Sequence, residues 1–188
     1  MEITATAPIR RQTEPMPDDI VEVLFSHDEI QARVQDLARR ISEDYKDQQV
    51  VFVSILRGSV FFATDLARQI DLPLSMDFLS ISSYGEDSEG VVRITKDLEE
   101  NIAGKNVLVI EDIVDTGFTL KYLLRTLSGR NPRSIEVCTL LDKRARRIID
   151  VDLKYVGFEI PDKFVVGYGL DYRQRYRNLP YIGVVKPS

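Results

Sequence analysis

The densest run of chemistry-bearing residues in this 188-residue chain is VLVIEDIVDTGFTL, residues 107–120. An apolar stretch leads straight into Glu111 and Asp112, then into Asp115, Thr116, Gly117 and Thr119, and then into a helical spacing. Carboxylates at the carboxyl end of a buried parallel strand face the crevice where open α/β sheets bind ligands. Thr116, Gly117 and Thr119 add hydroxyls and close-approach backbone beside a helix N-terminus, a set suited to a monophosphate. The acids would repel a bare phosphate, and the repulsion is relieved if the ligand also carries sugar hydroxyls or a divalent cation. Glu111 and Asp112 can then accept from a ribose diol, while Asp115 lies nearer a reacting base. An isolated Asp-Thr-Gly is only a helix-capping turn; it is the surrounding strand–turn–helix context that favours a ligand. A second cluster, LRGS at 56–59, follows the apolar run VVFVSIL. Gly58 there lets backbone approach a ligand and Arg57 brings a fixed positive charge, although the same residues after a strand are as often an ordinary turn.

Other chemistries lack their residues. No G-x-x-x-x-G-K-[ST] loop is present, and no G-x-G-x-x-G follows a strand, which disfavours ATP hydrolysis and dinucleotide binding. Cys138 is alone in a strand-like stretch and His27 is the only histidine, so cysteine–histidine hydrolysis and a zinc site have no support. Lys and Arg total 25 against 30 Asp and Glu, a formal charge of −5, which disfavours indiscriminate binding along a nucleic-acid backbone. A local anion site remains compatible with that balance.

The elements that must position these residues follow from apolar periodicity. Ser26 with Glu29 reads as a capping box before a helix carrying Ile30, Val34, Leu37, Ala38 and Ile41, running to about Tyr45. Strands are expected at VEVLFS, VVFVSIL, LSMDFLSIS, VVRITK, VLVIED, SIEVCTLLD, YVGFEI, FVVGYGL and YIGVV, and further helices at VFFATDLARQI and LKYLLRTLS. Buried-type strands alternating with helices indicate βαβ units and an α/β fold with a mostly parallel sheet. The polar break SSYGEDSEG, 82–90, reads as a hairpin-type excursion. The length suits one domain over 20–188, burying roughly 70% of its extended-chain surface, with residues 1–19 as a flexible tail. No run approaches the ~20 apolar residues of a membrane span. With one cysteine and no apolar leader at the amino end, the expected location is the cytoplasm.

Five segments in order, SILRGS (54–59), SSYG (82–85), VLVIEDIVDTGFTL (107–120), LLDKR (140–144) and DKFVVGYGLDYRQRYRNLPYIGVVKP (162–187), resemble the type I phosphoribosyltransferases. The resemblance spans essentially everything after residue 20 and is closest to the bacterial form of the 6-oxopurine (hypoxanthine-guanine) branch, to which DKFVVGYGLDY is the most specific segment. It implies that family's fold: a mostly parallel central β-sheet flanked by helices, a small hood region and a flexible lid hairpin. It implies transfer of ribose 5-phosphate from phosphoribosyl pyrophosphate to N9 of hypoxanthine or guanine, with Mg2+ as cofactor.

Residue by residue, the resemblance assigns Glu111 and Asp112 to the ribose hydroxyls and Asp115 through Thr119, including Thr116, Gly117 and Phe118, to the 5′-phosphate. Phe118 stands where relatives often carry another side chain, and its backbone can still serve the loop. Asp115 is placed near N7 of the purine, where it can exchange a proton. Leu56, Arg57 and Gly58, with a cis peptide between Leu56 and Arg57, and Arg177 are assigned to pyrophosphate. Ser83 and Tyr84 belong to the lid, for which an ordinary hairpin tip is the bland alternative. Lys143 is assigned to the purine O6, Phe164 to stacking, Val165 to the Watson–Crick edge and Asp171 to the purine pocket and magnesium. Without the family, Phe164 would read as core and the run KRARR as a solvated basic face. A homodimer or homotetramer is implied, and neither nucleic acid nor membrane is expected as a partner. The rivals are a xanthine- or guanine-preferring transferase and an RNA-binding nucleotide sensor of the same fold.

Overall fold

Two apolar runs buried on both faces, β2 (Val50–Leu56) and β5 (Asn106–Val114), form the middle of a six-stranded sheet. The computed structural model describes residues 19–84 and 91–186. The other sheet members are β3 (Leu74–Tyr84), β4 (Val91–Lys96), β6 (Ser134–Asp142) and β7 (Tyr155–Glu159), in the order β4-β3-β2-β5-β6-β7. Every neighbouring pair is parallel except β3–β4, an antiparallel hairpin at one edge. The expected tail lies outside the described residues up to residue 18, and Asp19 already accepts from Lys186 N.

Alternation along the strands sorts the core into two layers. Phe52, Leu108, Ile110 and Cys138 point to the face covered by α1 (His27–Asp44) and α2 (Val60–Gln69). Val51, Val53, Val107, Val109 and Val137 point to the other face, covered by α3 (Phe118–Ser128) through Leu120, Leu123 and Leu127. The capping box at α1 is formed: Ser26 N donates to Glu29 Oε2 at 2.8 Å and Glu29 N to Ser26 Oγ at 3.3 Å. Cys138 is fully buried, and burial pushes its thiol well above the ordinary range, as suits a small core residue. Among the described residues no helix is long and apolar enough to cross a membrane.

A second, antiparallel sheet forms the hood: β1 (Ile20–Phe25), β9 (Ile182–Val185) and β8 (Val165–Val166), in the order β1-β9-β8. Here one expectation fails. FVVGYGL is a strand only at Val165–Val166. Gly167, Tyr168 and Gly169 all take positive φ, and a bridge closes Gly167 on Leu170. A Cβ on Gly167 would collide with the Tyr181 carbonyl and one on Gly169 with the Gly58 carbonyl, so close backbone packing together with left-handed geometry overrides the apolar pattern. The turn is anchored to the main body by the Tyr168 hydroxyl, which donates to Asp65 Oδ2 at 2.6 Å.

Candidate active site

The strand β5 carries Glu111 and Asp112 to the carboxyl end of the sheet and ends at Val114, so Asp115 opens the turn into α3. Neither Glu111 nor Asp112 forms an ion pair among the described residues. Burial pushes the Glu111 carboxyl well above the ordinary range, and the neighbouring Asp112 charge adds to the rise. Burial likewise pushes Asp112 up to about 6, against the opposing effect of Ile113 N, which donates to Asp112 Oδ1 at 2.8 Å. Buried acids held above their usual range signal a place where donors or positive charge are meant to arrive.

The turn after β2 crosses directly over this pair. The Leu56–Arg57 peptide is cis, as the resemblance implies. A Cβ on Gly58 would overlap Asp112 Oδ2, and Gly169 of the hood packs closely on the Gly58 carbonyl. Carboxylate, cis turn and hood turn thus meet at a spacing that only glycine permits. Ser59 fixes the turn, donating to the Ile55 carbonyl at 2.5 Å and lying 2.7 Å from Ser54 Oγ.

The loop opening α3 is built for backbone exposure. Gly117, the N-cap, has φ 89° and offers no side chain to the helix N–H groups, which leaves them free for an anion. The helix begins at Phe118, two residues earlier than apolar spacing suggests, so Thr119 lies in its first turn. The loop's outer wall is the segment 147–149: Thr116 O accepts from Ile148 N at 3.0 Å and Ile149 N at 2.9 Å, and Arg147 Nε donates to Asp115 O at 3.1 Å. Arg147 also pairs with Asp142 and is nearly buried. One cavity of about 240 Å³ brings together Leu56, Arg57, Gly58, Glu111, Asp112, Asp115, Thr116, Gly117 and Thr119.

Lys143, Phe164, Val165, Asp171 and Arg177 do not line that cavity. Lys143 follows β6; its N donates to Val114 O at 2.9 Å, and its almost buried ammonium lies 3.5 Å from Asp162 Oδ1. Phe164 is half-exposed, edge-on to Tyr172 with ring centroids 5.5 Å apart, while Val165 is buried opposite Val184. Asp171 is engaged: Arg177 Nη2 lies 2.6 Å from its Oδ1, and Gln174 N donates to its Oδ2 at 2.8 Å. Arg177 Nη1 donates to Gly169 O at 2.6 Å; Gln174 Oε1 accepts from Arg57 Nη1 at 3.2 Å and from Arg177 Nη2 at 3.5 Å, which draws the two arginines toward one another. Ser83 and Tyr84 end β3, paired with Val92 and Val91; the tip of the expected lid lies outside the described residues.

Sequence reasoning missed Arg147 and Gln174. The basic run after β6 was the signal for Arg147, masked by its resemblance to a solvated surface. No sequence signal marks Gln174, whose role depends on a left-handed backbone at φ 65°.

The family model of the phosphoribosyl transferase domain matches residues 21–173. The chain belongs to that family. This phosphoribosyltransferase is 52% identical over 182 residues to the hypoxanthine-guanine phosphoribosyltransferase of Mycobacterium avium, covering 93% of this chain and 90% of that one. It is 48% identical over 175 residues to the protein of the same name from Bacillus subtilis, covering 92% and 97%. Among solved structures it is similar to a hypoxanthine phosphoribosyltransferase from Staphylococcus aureus, with TM-score 0.90 and 48% identity over 94% of this chain and 97% of that one.

Proposed function

We propose that this phosphoribosyltransferase moves the 5-phosphoribosyl group from phosphoribosyl pyrophosphate to N9 of hypoxanthine or guanine, releasing pyrophosphate and forming IMP or GMP in purine salvage. The observation that carries the reading is the Glu111–Asp112 pair, both carboxyls held above the ordinary range with no ion pair among the described residues and set between the cis turn and the open N-terminus of α3. A ribose diol supplies the missing donors, a 5′-phosphate suits the N–H groups and hydroxyls of Thr116–Thr119, and Leu56–Gly58 with Arg177 face the pyrophosphate. Asp115 accepts the purine proton at N7 as N9 attacks C1′, which raises the nucleophilicity of a neutral base. Lys143 donates to O6, Phe164 stacks on the ring and the Val165 backbone meets the far edge. Ser83 and Tyr84 belong to the segment that closes over the reacting sugar and keeps water from it.

The donor set suits magnesium: the carboxylates are hard oxygen ligands, and the nearby Asp171 charge contributes to holding Asp112 up. Among the described residues no group of three or more His, Cys, Asp or Glu could hold an ion alone, so substrate oxygens and water would complete the shell around Asp171. When bound, the ion neutralises charge on the pyrophosphate leaving group. Asp171 would first release Arg177, freeing that guanidinium for pyrophosphate. The enzyme is proposed to be cytoplasmic and to work as a homodimer or homotetramer.

The test is a steady-state comparison of hypoxanthine, guanine, xanthine and adenine with phosphoribosyl pyrophosphate and magnesium. Hypoxanthine and guanine should turn over, xanthine more weakly and adenine worst. Use of adenine as readily as hypoxanthine would refute the base assignment, and no turnover of any base would refute the reaction.

A further inference from the structure

Two neighbouring arginines on the 3₁₀ turn and cap after β6 are held in opposite ways. Arg147 is nearly buried and fixed to Asp142 and to the Asp115 carbonyl, where it forms the wall of the phosphate loop. Arg146 is half-exposed and faces side chains instead: its Nε lies 3.1 Å from Asp115 Oδ1 and its Nη1 3.5 Å from Asp162 Oδ1. The same Asp162 oxygen lies 3.5 Å from Lys143 Nζ. Asp115, Arg146, Asp162 and Lys143 are therefore one chain of alternating charge. Its two ends are the residue read above as proton acceptor for N7 and the residue read as donor to O6.

N7 and O6 lie on the same edge of a 6-oxopurine. A base arriving between Asp115 and Lys143 offers a donor where Arg146 now stands and an acceptor where Asp162 now stands. Exchange of partners strands no charge, because Arg146 and Asp162 already face each other and stay paired when the ends let go. Half-exposed ion pairs of this kind are individually weak, which lets a ligand displace them.

We propose that Arg146 and Asp162 are positioning residues for base recognition: they hold Asp115 and Lys143 apart and aimed in the empty site, then hand both ends to the purine. The inference rests on the reading of the site given above. Without Arg146, Asp162 has Lys143 as its sole cation among the described residues and competes harder with O6. Without Asp162, Arg146 has Asp115 alone and competes harder with N7. Each single change therefore weakens base capture, and removing both competitors together restores part of it.

The experiment measures KM for hypoxanthine, KM for phosphoribosyl pyrophosphate and kcat in wild type, Arg146→Ala, Arg146→Lys, Asp162→Asn and the Arg146→Ala/Asp162→Asn double variant, with thermal unfolding to check folding. Each of Arg146→Ala and Asp162→Asn should raise KM for hypoxanthine about threefold to tenfold and leave KM for phosphoribosyl pyrophosphate within about twofold. Arg146→Lys should recover most of the loss, and the double variant should fall clearly short of the product of the two single effects. Unchanged KM for the base, equal movement of both KM values, or multiplicative single effects would each overturn the exchange while leaving the transferase reading intact. Failure of the wild-type protein to turn over hypoxanthine would overturn both.

Discussion

The two sides of the cleft are built on opposite electrostatic principles. On the ribose side, buried Glu111 and partly buried Asp112 form no ion pair among the described residues, and both carboxyls are pushed upward although the Arg177 charge draws Asp112 partly back. On the base side every assigned charge already has a partner: Lys143 has Asp162, Asp115 has Arg146 and Asp171 has Arg177. The first side waits for donors to arrive, and its acids hold a free-energy cost that a ribose diol or a cation relieves. The second must break contacts before it can make new ones. Tight capture of the sugar phosphate and selective, exchangeable capture of the base are the behaviours that the two arrangements favour.

The sharpest way to break this comparison is at Asp115, where the two sides meet. Asp115→Asn keeps shape but removes the basic oxygen, so kcat should fall by about 10²–10⁴-fold while binding of phosphoribosyl pyrophosphate changes far less. Unchanged turnover with hypoxanthine would remove Asp115 from proton transfer. Lys143→Ala probes the base side alone. Losing a charge-assisted donor should lower kcat/KM for hypoxanthine and guanine together by roughly 10- to 150-fold, from ~1.5–3 kcal/mol. A loss confined to one of the two bases would disconnect Lys143 from O6.

How much of this was legible in the sequence differs between the same two sides. The strand, turn and helix of residues 107–120 are contiguous, so apolar spacing and residue type were enough to place Glu111, Asp112 and the phosphate loop. The base side is assembled from β6, the 3₁₀ turn after it and the hood, which share no local pattern. Phe164 read as a core strand residue because FVVGYGL is largely apolar; the close packing of Gly167 on Tyr181 and of Gly169 on Gly58 explains why the chain turns after Val166. Gln174 acts on Arg57 and Arg147 on the Asp115 carbonyl, residues distant in the sequence, and neither leaves a periodic trace. The resemblance to a family supplied roles on this side that spacing did not.

A smaller effect tests the ribose side for its stored cost. Asp112 is held at about 6, above the ~3.9 of an unfolded Asp, so the folded protein binds the extra proton between those values. Stability of the ligand-free protein should therefore decline as pH rises from about 4 through 6. Asp112→Asn can still accept from Ile113 N and carries no charge, so it should be more stable than wild type at pH 8, by roughly 2–3 kcal/mol, and about equal at pH 4. Denaturant melts at the two pH values would show it; an Asn variant no more stable at pH 8 would mean the site relieves the charge unaided. The smallest expected change is at Asp171, where Asn leaves Arg177 and Gln174 in reach. Asp171→Asn should raise the magnesium concentration needed for half-maximal rate by a few-fold, since a neutral oxygen replaces a charged one in a hard-cation site. A magnesium titration superimposable on wild type would leave the ion to the substrate.

The hood has a consequence for the order in which the molecule acquires its abilities. Its middle strand, β9, pairs with β1 on one side and β8 on the other, so the shelf carrying Val165 depends on segments from opposite ends of the described chain. The phosphate loop needs only a strand, a turn and a helix that follow one another. Contacts distant in sequence carry a larger loop-closure cost and form later. During refolding, a phosphate-binding core should precede a base-selective enzyme: protection of amides in β5 and α3 against hydrogen exchange should appear before protection in β1, β8 and β9.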